Sequence, residues 1–449
     1  MFHRLLIANR GEVAVRIARA ARELGISPIG VTSTADRDGS WTEFMDEVVC
    51  LGPAAARQSY LSRERILQAA LQTHATALHP GWGFLAEDAR FAALCRQHGI
   101  AFVGPSAALI ARMGAKSPAK RAMREAGLEV IPGSDGPVDD LETAMAVAAE
   151  AGYPVILKAD LGGGGRGMRR CDSEADLKAA FDAARAEAEA SFGSASVYLE
   201  KFLTGGRHIE VQILADAHGG AIHLGERDCS VQRKHQKLIE ESPSPALTDA
   251  ERAELGARAA AAAAAVGYVN AGTIEFLRSA DGAIYFMEMN TRLQVEHPVT
   301  EMVTGVDLAV AQLEIAANRP LSIRQEEVRF EGHAIECRIN AEDPEDDFRP
   351  SPGRLERFDI PTDLGPGRVR VETHLRAGDT VSPHYDSLIA KIIAHGADRS
   401  EAIATMLAAL AGAQIEGVKT TAPLHRAVLS SDAFASGDYD TTTLPGWSA

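Results

Sequence analysis

Cysteine is scarce in this chain. There are five among 449 residues, Cys50, Cys95, Cys171, Cys229 and Cys337, with no C-x-x-C pair. That scatter excludes a disulfide framework and a thiolate zinc site, and it predicts free thiols in a reducing compartment, the cytoplasm. Positive charge is also in deficit: 46 Lys and Arg stand against 62 Asp and Glu, a net charge of −16. This balance argues against nonspecific binding of nucleic acid or an anionic membrane, though not against phosphate ligands, which need only local cations. No apolar run approaches membrane-spanning length. The opening MFHRLLIANRGEV is interrupted by Asn9, Arg10 and Glu12, so it does not read as a signal peptide. One nucleotide motif is missing as well, and another is absent from the first strand-to-helix turn although residues 162–167 match it formally. G-x-x-x-x-G-K-[ST] does not occur, and the first strand-to-helix turn has a single glycine, which excludes the dinucleotide fingerprint there.

The composition that remains, 46% hydrophobic and 24% charged, is that of a globular chain, and its length calls for two or three domains. Near the N-terminus an apolar run at 5–7, a helical pattern at 12–24 closed by Gly25, and a second apolar run at 28–31 predict α/β layering of Rossmann-like shape. A second unit opens after Gly104-Pro105, with strands expected near 153–158 and 197–202. Thr248 and Glu251 form a capping box ahead of an alanine-rich helix. A last unit begins near Glu331, with strands expected at 333–339, 368–374 and 388–393 and a helix at 399–411. The final dozen residues are expected to be loosely held.

The most informative stretch is 275–296, EFLRSADGAIYFMEMNTRLQVE. Asp281-Gly282 between alternating runs predicts a two-residue hairpin loop. Counting back from it places Glu275 opposite Glu288. Like charges so placed are destabilising unless a cation joins them. With Asn290 on the same face, the donors are all oxygens, which suits Mg²⁺ or Mn²⁺ rather than zinc. Continuing at period two adds Arg292, Gln294 and Glu296 to that face, with Met287, Met289, Leu293 and Val295 opposite.

Three other segments carry chemistry. Residues 162–167, GGGGRG, follow a strand but lead into more extended chain, with helix signals only from Ser173 and Asp176; strand, glycine loop, strand is a flap whose backbone N–H groups can wrap phosphate. Lys158 stands at its stem. Residues 227–237, RDCSVQRKHQK, crowd Arg233, Lys234, His235 and Lys237 together, either as an anion site or as a solvated basic face. Residues 79–84, HPGWGF, read as a tight aromatic turn.

Together with IANRGE (7–12), HPGWGFLAE (79–87), MGAK (113–116), ERDCSVQRKHQK (226–237), EMNTRLQVEHPVTE (288–301) and GHAIECRINAEDP (332–344), these segments resemble the biotin carboxylases, members of the ATP-grasp superfamily. The match runs in order from Met1 to about Phe434. The resemblance implies a mixed α/β (α+β) chain. A Rossmann-like N-terminal domain would span 1–113, an ATP-grasp region 114–330 with a mobile lid at about 131–203, and a biotin carboxylase C-terminal domain 331–440. It implies that Lys116, Lys158, Glu200, Lys201, Leu203, His208, Gln232 and His235 hold ATP, with Gly164 and Gly165 covering its phosphates. Glu275, Glu288 and Asn290 would bind Mg²⁺ or Mn²⁺. Lys237, Arg292, Gln294 and Val295 would hold bicarbonate, Glu296 would deprotonate it, and Arg338 would stabilise the biotin enolate.

Departures from the family pattern are Trp82 for tyrosine beside the expected biotin pocket, Asp88 for asparagine, Ala115 for aspartate, and Asp160-Leu161 before the glycine loop. No Met-Lys acceptor dipeptide occurs. The implied protein is therefore a separate subunit, likened to homodimers, acting with a biotin carboxyl carrier protein and carboxyltransferase subunits. An acetyl-CoA or other acyl-CoA carboxylase serving fatty acid biosynthesis is the leading context, and a pyruvate- or other keto-acid carboxylase the alternative. The Arg-x-Gln-x-Glu run and the Arg338 segment argue against another ATP-grasp ligase, and intact Glu275, Glu288, Arg292 and Glu296 against a nucleotide-sensing scaffold.

Overall fold

In the computed structural model, which describes residues 1–160 and 168–447, the N-terminal segment forms a five-stranded parallel sheet. Its strands are β1 (Arg4–Ile7), β2 (Ser27–Ser33), β3 (Glu47–Gly52), β4 (Ala77–His79) and β5 (Ala101–Phe102), in the order β3-β2-β1-β4-β5. Both faces are covered. Leu5 and Ile7 pack with Val13 and Ile17 of the helix Gly11–Glu23, while Leu6 and Ile29 pack with Ile66 and Phe91 on the other side. A strand buried on both faces has no reason to alternate, hence the continuous run at its start. Gly25 follows the helix at φ +70°, the left-handed C′ position expected of it.

A small antiparallel sheet of β6 (Val155–Ala159), β7 (Met168–Cys171) and β8 (Val197–Lys201) lies under the helices Leu141–Ala151 and Glu174–Phe192. Val155, Leu157 and Leu199 meet Ala144, Leu177 and Phe181 in a core of their own. Ser173 caps the longer helix by accepting from the Asp176 amide. The glycine loop, with Gly164 and Gly165, falls outside the described residues.

The rest of the molecule is built on an eight-stranded antiparallel sheet. Its strands β9 (Gly206–Ala215), β10 (Ala221–Arg233), β11 (Gln236–Ser242), β12 (Asn270–Ser279), β13 (Ile284–Asn290) and β14 (His333–Asn340) are joined by Leu388–Gly396 and Arg368–Thr373. The order is β13-β12-β9-β10-β11-β14, then Leu388–Gly396 and Arg368–Thr373. Ile239 of β11 lies opposite Cys337 of β14, so the sheet runs unbroken across the position near 330 where a boundary is expected. On β9, Ile209, Val211 and Ile213 pack with Leu255 and Ala259 of the helix Asp249–Ala265, which carries the expected capping box. His208, Glu210 and Gln212 take the opposite face and are buried nonetheless.

The hairpin at 279–283 differs from expectation in a way that cancels. Gly282 N donates to Ser279 O (3.0 Å) and Ser279 N to Ala283 O (2.8 Å), so the loop has three residues rather than two, closed by Gly282 at φ +92°. That slips the register by one, and Phe276 pairs with Phe286. A bulge at Met287 slips it back, and Glu275 does face Glu288. The period-two continuation also stops early: β13 ends at Asn290, and residues 291–296 are irregular up to the helix His297–Thr304. The tail as far as Trp447 is not loose. Tyr439 is buried and stacks on Phe434 with ring centroids 5.3 Å apart, and Leu444 and Trp447 pack on the C-terminal core.

Candidate active site

The polar face of the large sheet converges on one ammonium. Lys237 Nζ lies 2.6 Å from Glu210 Oε2, 2.9 Å from Glu275 Oε1 and 2.7 Å from Glu296 Oε1. Glu210 shares its other oxygen with fully buried Arg227, whose remaining N–H groups donate to Gln212, Thr300 and Thr273. Glu275 Oε1 also accepts from Asn290 (2.7 Å) and Gln294 (3.1 Å), and its Oε2 is 3.0 Å from His208 Nε2. Burial alone would discharge Lys237, yet Glu210, Glu275 and Glu296 hold its pKa well above the ordinary value. Burial likewise opposes ionisation of Glu296, but Lys237, Arg338 and Arg227 outweigh it and keep that carboxylate well below the usual range. Glu210 goes the other way: burial raises it despite Arg227.

Arg338 bridges the cluster to β11. Its Nη2 is 2.8 Å from Glu296 Oε2 and its Nε 2.6 Å from Glu240 Oε1. Arg292 is fixed by Glu87 (2.9 Å), Gln294 (2.7 Å) and Asn290 (3.1 Å). The irregular stretch after β13 thus still turns Arg292, Gln294 and Glu296 inward, because each has a partner there, while Leu293 and Val295 are buried.

Toward the small sheet the cleft changes character. Lys158 and Lys120 each lie 2.6 Å from a different oxygen of Glu200. Lys116 Nζ is 3.8 Å from half-buried Glu288. Lys201 donates to the carbonyls of Gly152 and Tyr153 instead. The pKa of Glu288 is raised by burial and then by the Glu275 charge. Leu203 and Gln232 are half-buried, whereas His235 is exposed beside Lys234 in a tight turn with both residues at positive φ. The basic run is therefore divided: Arg233 and Lys234 pair with Asp347, and Lys237 turns inward. Among the described residues, His208, Glu210 and Glu275 bring potential ligand atoms within 4.8 Å of one another, but Lys237 and Arg227 already neutralise them.

Three family models match successive stretches of the sequence: the biotin carboxylase N-terminal domain over residues 1–110, the ATP-binding domain of the carbamoyl-phosphate synthase L chain over 115–324, and the biotin carboxylase C-terminal domain over 336–445. A biotin carboxylase of Pseudomonas aeruginosa is 54% identical over 438 residues, covering 97% of this chain and 96% of that protein. The chain belongs to the biotin carboxylase family. As a biotin carboxylase it is an ATP-dependent ligase. Solved biotin carboxylases superpose closely. The biotin carboxylase domain dimer of Hydrogenobacter thermophilus 2-oxoglutarate carboxylase, in complex with MgADP, ADP and bicarbonate, gives a TM-score of 0.94 at 46% identity, covering 98% of this chain and 96% of that one. A Campylobacter jejuni biotin carboxylase complex gives 0.94 at 45%, covering 98% of each.

Two departures from the biotin carboxylase pattern have structural partners. Asp88 caps the helix Ala89–Gln97 by accepting from the Phe91 amide (2.8 Å) and pairs with Arg63. Trp82 donates its indole N–H to Glu12 (3.0 Å). Glu12 is 3.1 Å from the fully buried Lys391, which donates to the Val295 carbonyl (2.8 Å). Trp82 also lines a pocket with Arg10, Phe84, His384 and Tyr385. Sequence reasoning missed Lys120, Glu210, Arg227, Glu240 and Lys391. A usable signal existed for one: His208-x-Glu210-x-Gln212 is a period-two polar row inside an otherwise apolar strand.

Proposed function

We propose that this biotin carboxylase activates bicarbonate at the Lys237 cluster with ATP and passes the carboxyl group to biotin presented by a carrier protein. The supporting observation is that Glu296 sits between two cations, 2.7 Å from Lys237 and 2.8 Å from Arg338, in a buried site that keeps it ionised. An ionised carboxylate can accept the proton of bicarbonate, and a general base must lie within hydrogen-bond reach of it. In this reading Lys237, Arg292, Gln294 and the Val295 backbone hold the anion. Arg338, which stays protonated, then meets negative charge as it develops on the ureido oxygen of biotin. Trp82 lines the biotin side.

Lys116, Lys158, Glu200, Lys201, Leu203, His208, Gln232 and His235 are assigned to ATP, and Gly164 and Gly165 to its phosphates. The segment at 131–203 is assigned as the lid, and its separate core suits movement as a unit. Glu275, Glu288 and Asn290 offer oxygen donors of the kind Mg²⁺ or Mn²⁺ prefers. The raised pKa of Glu288 beside Glu275 marks a place where added positive charge is favourable, so the residues fit the ion. When bound, the ion neutralises charge on the transferring phosphoryl group. Within the chain, Glu275 would exchange its contact with His208 for that ligand, and Lys237 would hold its second oxygen.

The chain is assigned to a cytoplasmic homodimer serving a carboxyltransferase. An acyl-CoA carboxylase is the first reading, and a keto-acid carboxylase the second, which the likeness to the 2-oxoglutarate carboxylase domain favours. Purified chain should hydrolyse ATP only with bicarbonate, and free biotin should stimulate it. Bicarbonate-independent turnover would overturn the site assignment. Identifying the carboxyltransferase that co-purifies decides between the two contexts.

A further inference from the structure

Across the pairing of β11 with β14, Glu240 lies directly opposite Glu336. Both side chains are fully buried, at 0% exposure. Directly opposed residues of an antiparallel pair carry Cβ atoms only ~4.5–5.5 Å apart. Among the described residues, three of the four carboxyl oxygens, Glu240 Oε2 and both of Glu336, have no hydrogen-bond donor, and the fourth, Glu240 Oε1, accepts from Arg338 Nε at 2.6 Å. The surroundings offer little relief. Ile239, Ile335 and Cys337, on the same two strands, belong to the apolar core beneath, and Val299 and Val303 of the helix His297–Thr304 pack on Ala334 and Ile393 above.

The charged groups that face the pair are Arg338 on the same strand as Glu336, Lys237 on the same strand as Glu240, Lys391 on the neighbouring strand, and Glu296 at the head of the helix. Lys391 is committed to Glu12 and the Val295 carbonyl, and Lys237 to its three carboxylates, so among the described residues only Arg338 donates to the pair. Two ionised carboxylates cannot persist side by side in such a place, since burial and like charge both disfavour the second ionisation.

We propose that Glu240 and Glu336 share a single proton, resident on Glu336 and donated to Glu240 Oε2, and that the pair is a positioning device for Arg338. One O–H···O bond satisfies an unpartnered oxygen on each side chain. The proton belongs on Glu336 because Arg338 lies against Glu240 and favours its ionised form. Burial raises both groups, Glu240 to about 7 and Glu336 well above the ordinary carboxyl range, and for Glu336 Lys391 opposes the rise while the neighbouring Glu240 adds to it. The consequence rests on the roles assigned above to Glu296 and Arg338. When Glu296 takes the proton of bicarbonate it loses its charge, and with it its hold on Arg338 Nη2. Glu240, kept anionic by its protonated neighbour, still holds Nε. The guanidinium then keeps its place while its terminal nitrogens become free for the ureido oxygen of biotin.

The test is infrared spectroscopy of the full chain across pH. A protonated-carboxyl C=O band should persist above neutrality, beyond the range of ordinary carboxyls, and Glu336→Gln should remove one carboxyl's share of it, distinct from any share of Glu210 or Glu288. A wild-type protein that loses all such bands by about pH 5, where ordinary glutamates have ionised, would overturn the shared proton without recourse to any variant. A band whose amplitude Glu336→Gln leaves unchanged would overturn it too. Kinetics test the link to Arg338 separately. Glu336→Val, which has no donor, should raise the KM for biotin roughly tenfold or more, and Glu336→Gln, which keeps an N–H, should largely restore it. The infrared band with an unchanged KM in Glu336→Val would retain the proton pair and overturn its positioning role. Because the band does not depend on turnover, its loss is distinguishable from a failure of the catalytic assignments.

Discussion

Lys237→Met keeps most of the side chain's bulk and deletes its charge, which makes it the sharpest probe of the cluster. Three contacts disappear, at 2.6, 2.9 and 2.7 Å to Glu210, Glu275 and Glu296. Each is a hydrogen bond between charged groups, worth ~1.5–3 kcal/mol when taken singly. None of the three carboxylates is stripped bare, however. Glu210 keeps Arg227, Glu275 keeps His208, and Glu296 keeps Arg338. The expected loss is therefore not the simple total but about 3–5 kcal/mol, the usual result of breaking a buried ion pair by removing one partner. Its pH dependence has a definite sign. Glu296 is depressed in the folded protein, so its ionised form contributes stability above its unfolded pKa, and that contribution is lost as pH falls through the folded value. Without Lys237, burial has less opposition and the folded pKa climbs. The deficit against wild type should be largest above neutrality and should narrow in acid, where protonation discharges the cluster. Denaturant midpoints at two pH values read the stability. The acid limb of kcat/KM for bicarbonate in ATP cleavage reads the base, and it should move up toward neutrality. A loss below ~1 kcal/mol, or an acid limb left at its wild-type position, would refute the hub.

Glu296→Ala should lose both bicarbonate-dependent ATP cleavage and carboxybiotin formation, a drop of ~10²–10⁴ typical of removing a general base. Arg338→Ala should lose carboxybiotin formation yet keep part of the ATP cleavage; parallel losses in the two variants would show that the roles are not divided. Glu288→Gln should weaken activation by Mg²⁺ by orders of magnitude with the fold intact by circular dichroism, and near-normal Mg²⁺ dependence would remove Glu288 from the metal set. Trp82→Tyr should shift apparent affinity for biotin more than for ATP, because the indole N–H reaches the Val295 carbonyl only through Glu12 and Lys391; a shift confined to ATP would place Trp82 elsewhere.

What could be read from sequence, and what could not, divides by range. Local chemistry was legible: the Gly25 terminus, the Thr248–Glu251 box, and the Ser173 cap each depend on residues a turn apart. The facing of Glu275 and Glu288 was legible too, although the hairpin reaches it through two register slips, a three-residue loop and a bulge at Met287, that cancel. The convergence of Arg292, Gln294 and Glu296 was right, but not because a strand continues. Those side chains turn inward in irregular chain because Glu87, Asn290, Glu275 and Lys237 receive them. Glu87 belongs to a distant segment, and nothing local announces the pairing. Lys391, Glu240 and Arg227 were silent for the same reason. Each sits in a strand that looks ordinary alone and acquires its partners only when the sheet is assembled.

The junction of β11 with β14 also constrains how the chain is made. Until Cys337 and its neighbours leave the ribosome, β11 has no partner on that side, and the apolar Leu238 and Ile239 border an open hydrogen-bonding edge. At ordinary translation speeds of about 5–20 residues per second, that edge stays bare for on the order of ten seconds. Unpaired edges of this kind recruit other strands. A nascent chain halted near residue 330 should thus be far stickier than one halted near 110, where the parallel N-terminal sheet already has all five of its strands.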